Sequence, residues 1–476
     1  MPAPRWARRP PIATLELALR PQLNVAFSAC FMFVTIGIGT TTFREQKLDV
    51  HRALKASQPA WNVANLRFRV ACAPFRKTSS TTRSRRAGTA ALHARLNLTE
   101  RIPVAVLGAT GSVGQRFVQL LEGHPWFEVV ALGASSRSAG HKYGEQVSWK
   151  QATPIPADMA DIEISECDPN EAAYRDVRIV FSGLDNQIAG EIETRFAQAG
   201  KAVFSNAKNH RMDPDVPILI PPVNASHIEA VRTQAVYRQS GGFIVTNANC
   251  STTAMTIGLA PIWKSPELGI ETIVVSTMQA ISGAGYPGLS GMDILDNVVP
   301  YIGAEEGKME TESLKIYGEY QPTRGFVPAE INVSAMCNRV HVLDGHTEAV
   351  SIKVRNRGNR SKEELAQMVI RAIQEYPSTS RDVFGLPSGP ERDVVYNQAP
   401  DRPQPRLDRN LGRGFTVTVG RVRPCNVLDV KLALCGHNTI VGAAGGSILN
   451  AELAVVKKLI ASVGVGATEH GAAVRR

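Results

Sequence analysis

Ile102-Pro-Val-Ala-Val-Leu107-Gly108-Ala-Thr-Gly111-Ser-Val-Gly114-Gln-Arg-Phe117 is the stretch that decides the fold. Ile102–Leu107 is a short apolar run of the kind that forms a strand buried on both faces of a parallel sheet. Three glycines follow at 108, 111 and 114, and Gln115–Leu121 then repeats its apolar residues at helical spacing. Strand, glycine turn and helix together make a seat for a dinucleotide pyrophosphate. The glycines let the backbone approach the phosphates, and the helix N-terminus supplies unpaired N–H groups. Gly108, Thr110, Gly111, Ser112, Val113 and Gly114 are the expected cradle.

The next strand, Val129–Leu132, selects the cofactor. An NAD site usually ends this strand in Asp or Glu for the ribose 2′-hydroxyl. Here the chain continues through Ser135, Ser136, Arg137 and Ser138, a cation among hydroxyls with no acid. That loop suits a 2′-phosphate, so NADP is the expected cofactor. Val177–Phe181 then runs into Ser182 and Gly183, a third wall of the cleft. Strands alternate with helices to about residue 245, which describes a doubly wound, Rossmann-type sheet.

A second strand-to-helix junction carries the chemistry. Phe243–Thr246 leads into Asn247-Ala-Asn249-Cys250-Ser-Thr-Thr253 and then a helical stretch. A thiol at a helix N-terminus is expected to ionise more readily, because the dipole favours the thiolate. The other six cysteines form no CxxC pair and have no regular spacing, so they are read as core thiols. This usage argues against a disulfide framework and a zinc ribbon, and no metal is expected.

GATGSVGQRF at 108–117, NANCSTT at 247–253, SGAGYPG at 282–288, DGHTE at 344–348 and RPQPRLDR at 402–409 occur in that order. Together, and with HNT at 437–439, they resemble aspartate-β-semialdehyde dehydrogenases of the fungal and archaeal type. The resemblance runs from about residue 102 to 460. It implies NADPH-dependent reduction of L-4-aspartyl phosphate through a Cys250 thioester. On the family's pattern His346 is the base, Gln279 and Asn249 orient the acyl group and phosphate, and Arg339 holds the substrate carboxylate. Glu312 would then meet the ammonium, with Lys315 and Arg211 on the phosphate. Gly283 lies close to the site, and Asn438 and Thr439 return to the nicotinamide. The family's usual RVPV is Arg339-Val-His341-Val here, and His341 is read as a polar edge residue. The alternative is a related acyl-phosphate or acyl-CoA reductase of the malonyl-CoA type. A non-catalytic tethered scaffold has no need of Cys250, His346 and Arg339 together.

Charge marks the domain organisation. The chain carries 53 basic and 43 acidic residues, a net of +10. Residues 1–100 hold 16 bases and four acids, which leaves 37 bases and 39 acids in the rest. The basic character therefore belongs to an N-terminal extension, and nucleic acid is not an expected partner of the nearly neutral body. Residues 1–100 are read as a disordered or targeting extension, 102–248 as the NADP-binding domain completed by a helix at 446–462, and 249–438 as a mixed α/β catalytic and dimerisation domain. A small-molecule substrate, a homodimer or homotetramer and a cytoplasmic location are expected, with organelle targeting or membrane association through the N-terminal extension as the alternatives. The loop Pro387–Arg413 looks too polar to pack internally and is read as an interface arm.

Overall fold

The computed structural model describes residues 100–460. The expectations for the N-terminal extension, and for residues 461 and 462, lie outside the described residues. The first sheet contains β1 (Ile102–Leu107), β2 (Phe127–Ala134), β3 (Ile164–Glu166), β4 (Ile179–Ser182), β5 (Ala202–Ser205) and β6 (Phe243–Thr246). Its order is β3-β2-β1-β4-β5-β6, and every pairing is parallel. This is the doubly wound order that places ligands at the carboxyl ends of the strands beside β1 and β4.

Between β1 and β2 lies α1 (Ser112–Leu121), whose Phe117, Val118 and Leu121 are buried. The turn into it leaves no room for side chains. Gly108 has φ +68°, and a Cβ on Gly114 would lie 2.1 Å from the Gly108 carbonyl oxygen. The turn therefore has to be glycine at both ends for the helix to start this close to the strand.

The second sheet has seven strands: β7 (Ile270–Gln279), β8 (Val298–Val299), β11 (Asn332–Val340), β12 (His346–Val354), β13 (Val394–Asn397), β14 (Val417–Pro424) and β15 (Val430–Gly436). A separate ribbon pairs β9 (Glu319–Gln321) with β10 (Gly325–Val327). The seven run in the order β13-β14-β15-β12-β7-β11-β8, with β7 and β11 parallel and β12 antiparallel to β7. One face is covered by α2 (Cys250–Trp263), α3 (Glu305–Tyr317) and α4 (Lys362–Glu375). In α2 all residues from Ser251 to Ile262 are buried, Pro261 included, and Gly258 lets the helix approach Leu434 and Val417.

The C-terminal helix α5 (Gly445–Val456) returns to the first sheet, where Ile448, Leu449 and Leu453 join Phe117 and Phe181 in one core. It ends earlier than the sequence spacing predicts. Lys458 turns left-handed at φ +55°, and the Leu459 N–H bonds back to the Ala454 carbonyl, a terminating motif that apolar spacing does not reveal.

The loop 387–413 is partly exposed, with Arg406, Leu407 and Leu411 open to solvent, and is anchored by its own charges. Asp408 is buried and accepts two bonds from the Arg402 guanidinium at 2.7 and 2.6 Å, plus the Gln404 N–H. Its Arg409 donates to the Asp344 carbonyl at 2.9 Å, and Pro405 and Arg409 press on Gly345. The arm thus braces the turn that carries His346.

Candidate active site

Cys250 is the first residue of α2, and its neighbours build the junction. The Asn249 side chain caps the helix by accepting from the Ser251 and Thr252 N–H groups at 3.0 and 3.1 Å. Its amide nitrogen donates to Glu305 at 2.6 Å. The Asn249 main-chain N–H donates to Glu312 at 2.7 Å. The nucleophile's turn is thus held from two points on α3. Behind it, Asn247 donates to Asn206 and to the Ala443 carbonyl, and accepts from Asn450.

His346 is the first residue of β12, after the Asp344-Gly345 turn, where Gly345 has φ +96°. The ring is wholly buried, and Nε2 lies 3.1 Å from the Cys250 sulfur. Arg339 lies on β11, in register with Gln279 of β7. Its Nη1 donates to the Ala280 carbonyl at 2.7 Å. Gly283 lies over this group, since a Cβ there would stand 3.0 Å from Arg339 Nη1 and 3.4 Å from the His346 ring. Cysteine, histidine, arginine and glutamine from four separate stretches therefore converge. Gln279 is buried, and its Oε1 finds no hydrogen-bond partner among the described residues. His341 is exposed.

The electrostatics reverse one expectation. Burial pushes the Cys250 thiol up to about 12, and Glu305 pushes the same way, against Arg339, Arg211 and the Ser251 N–H. Desolvation of the thiolate is the largest of these effects. Burial also brings the His346 ring down to about 3, with Arg339 and His437 opposing a positive charge.

Several other expected roles change. Lys315 does not reach a substrate phosphate, because its ammonium donates to the carbonyls of Arg211, Asp213 and Val216 at 2.8, 2.7 and 2.8 Å. All three of its donors are used on the backbone. Glu312 likewise has both oxygens engaged, one by Asn249 and the other by Arg211 Nη1 at 2.8 Å. These bonds tie Arg211 and Asn249 to α3. Arg211 is buried, and its Nε has no hydrogen-bond partner among the described residues.

The residues missed are Glu305 and Lys308, an i,i+3 ion pair at 3.0 Å. They stand seven residues, about two helical turns, before Glu312 and Lys315, so both pairs occupy one stripe of α3. Spacing could not choose between them. Lys308 keeps 26% of its side chain exposed, and Glu305 acts electrostatically on both Cys250 and Arg339.

The cofactor cleft fits a dinucleotide. The N-terminus of α1 has no side-chain cap, so its first N–H groups at Ser112, Val113 and Gly114 are available to a pyrophosphate. Gly108, Thr110 and Gly111 keep solvent access there, as do Ser135, Ser136, Arg137 and Ser138 beyond β2. Ser182 is fully buried at the end of β4. Asn438 is buried too. Its amide bridges the Gly345 N–H and the Ser282 hydroxyl at 2.8 Å each, so it fixes the histidine turn to the 282–285 segment. Thr439, also buried, lies 3.4 Å from His437 Nδ1.

A parallel dinucleotide sheet joined to a Cys–His pair at hydrogen-bond distance is the arrangement of a dehydrogenase that works through a covalent thioester. Two family models match in agreement with this: a semialdehyde dehydrogenase NAD-binding domain over residues 103–231 and a semialdehyde dehydrogenase dimerisation domain over 259–441. The chain belongs to the aspartate-semialdehyde dehydrogenase family. It is 49% identical over 368 residues to the aspartate-semialdehyde dehydrogenase of Cryptococcus neoformans, covering 76% of this chain and 98% of that protein. The Archaeoglobus fulgidus enzyme of the same name is 46% identical over 76% of this chain and 100% of its own length. A crystal structure of the Candida albicans aspartate semialdehyde dehydrogenase with NADP superposes with a TM-score of 0.69 at 46% identity, covering 75% of this chain and 100% of that one.

Proposed function

We propose that this chain reduces L-4-aspartyl phosphate to L-aspartate 4-semialdehyde with NADPH, releasing phosphate, in the synthesis of threonine, methionine, isoleucine and/or lysine. The carrying observation is the Cys250 sulfur 3.1 Å from His346 Nε2, with Arg339 beside the ring. Cys250 attacks the acyl carbon and phosphate leaves, which divides one hard displacement into two easier steps. When bound, NADPH supplies the hydride that reduces the thioester. The Arg339 fork suits the substrate α-carboxylate. Glu305 suits the ammonium, and Lys308 with Arg211 suits the phosphate. Gln279, with an unpaired buried acceptor, suits a polar group of the bound acyl phosphate.

The full chain is expected to reduce NADP with L-aspartate 4-semialdehyde only when phosphate is present. Cys250→Ser should lose at least about a thousandfold in kcat, ~4 kcal/mol of barrier, while keeping its fold. Unchanged turnover in that variant would sink the thioester.

A homodimer, or a tetramer built from it, is proposed to form through the uncovered face of the second sheet, where Val274 and Met336 are 46% and 54% exposed. Sedimentation velocity of Met336→Lys tests it, and an unchanged wild-type mass would refute it. A cytoplasmic location is proposed from the free thiols of Cys337, Cys425 and Cys435. Fractionation of the native source decides that.

A further inference from the structure

We propose that Glu306 is a positioning residue that sets the spacing between the two groups holding the amino-acid end of the substrate, Glu305 for the ammonium and Arg339 for the carboxylate. The inference deepens the reaction proposed above and rests on its assignment of those two groups.

The strand that carries Arg339 has one paired edge and one nearly open edge. β7 pairs with β11 from Asn332 to Arg339, whereas β8 on the other side meets only Arg339 and Val340. Along the rest of that open edge, carboxylates of α3 take the place of a strand. The Cys337 N–H donates to Glu306 at 3.0 Å, and the Ala335 N–H donates to Glu310 at 3.0 Å. A bond of this kind, from an N–H to a charged carboxylate, is roughly twice as strong as a neutral one.

The match follows from the two pitches. Glu306 and Glu310 stand four residues apart on a helix, a rise of about 6 Å. Ala335 and Cys337 stand two residues apart on a strand, a rise of about 6.6 Å. Helix and strand run in opposite directions here, so each carboxylate meets one outward N–H. The buried Met309 sulfur lies 3.6 Å from the buried Cys337 sulfur, so the two elements are packed as well as bonded.

Glu306 is the bond nearer the chemistry. Its partner Cys337 stands two residues before Arg339 on β11. Its chain neighbour Glu305 accepts from the Asn249 amide at 2.6 Å, beside Cys250, and pairs with Lys308 at 3.0 Å. The first turn of α3 is therefore fastened to the cysteine turn by one carboxylate and to the Arg339 strand by the next. An α-amino acid carries its ammonium and its carboxylate on one carbon, so covalent geometry fixes their separation. A site that grips both has to fix the separation of Glu305 and Arg339 just as closely.

The test compares L-aspartate 4-semialdehyde with its deamino analogue, succinate semialdehyde, on the full chain with NADP and phosphate. The analogue is read by its inhibition constant against the first aldehyde. It makes the carboxylate contact alone and can follow a displaced Arg339. In Glu306→Ala the KM for aspartate semialdehyde should rise about tenfold, with kcat and the KM for NADP changed by less than about threefold. The inhibition constant of the analogue should rise by less than about threefold. Glu306→Gln keeps a carbonyl acceptor for the Cys337 N–H and should recover most of the loss. Where Glu306→Ala does not fold, Glu306→Asp, one methylene shorter, should show the same split between the two aldehydes. Equal losses for both aldehydes, an unchanged KM, or no recovery in Glu306→Gln would overturn the spacing role while leaving the reaction intact. A wild-type chain without phosphate-dependent NADP reduction would overturn the reaction, and the spacing role with it.

Discussion

Replacing Lys315 by Met separates a structural role from a ligand role. The Lys315 ammonium donates to three main-chain carbonyls, those of Arg211, Asp213 and Val216, and the residue is only 6% exposed. Burial brings its pKa down to about 8, so it is still charged at neutral pH. Methionine keeps most of the stem but loses the ammonium 4.4 Å above the Phe326 ring. It leaves three carbonyls without their partner, at about 1 kcal/mol net for each bond. The relief of no longer desolvating a charge offsets part of that loss. The expected destabilisation is therefore about 2–3 kcal/mol, read as a lower free energy of unfolding in urea. The 211–216 segment would loosen and carry Arg211 with it, so the KM for phosphate should rise in proportion to the lost order. A phosphate ligand would behave differently, with unaltered stability and a KM raised about tenfold or more. Unfolding within about 0.5 kcal/mol of wild type would refute the structural assignment.

The remaining predictions concern the site and cleft. Gly283→Ala places a methyl 3.0 Å from Arg339 Nη1 and 3.4 Å from the His346 ring, on an exposed segment. It should cut kcat/KM by about tenfold or more with little change in the melting temperature, and normal kinetics would show that the substrate does not approach from this side. Arg137→Ala should raise the KM for NADP much more than for NAD, by about tenfold, and an equal effect on both would remove Arg137 from the 2′-phosphate. Because the Cys250 thiol is pushed up to about 12, its alkylation by iodoacetamide in the free enzyme should climb with pH through the alkaline range. A plateau below about pH 8 would show a thiolate already formed.

The first sheet is legible in the sequence because its signals are local. Ile102–Leu107, the glycines at 108, 111 and 114, and the acid-free Ser135–Ser138 loop each act within a few residues of chain. Cys250 stands out from seven cysteines on the same ground, since a strand, a capping asparagine and a helix surround it in sequence. Other assignments resist this reading. Glu305–Lys308 and Glu312–Lys315 share spacing, charge and helical face, and they differ only in what faces them. The second pair meets the Arg211 segment and its carbonyls, whereas Lys308 of the first stays partly open to solvent. In the loop 387–413, composition does not show that Asp408 finds Arg402.

By itself, the sequence determined the class of fold, the cofactor chemistry and the identity of the nucleophile, since those follow from backbone conformation and residue type in short segments. The tertiary structure alone decided which charges were already neutralised and which side chains meet at Cys250. Those properties depend on partners brought from 66 to 104 residues away, and on the burial that only packing creates.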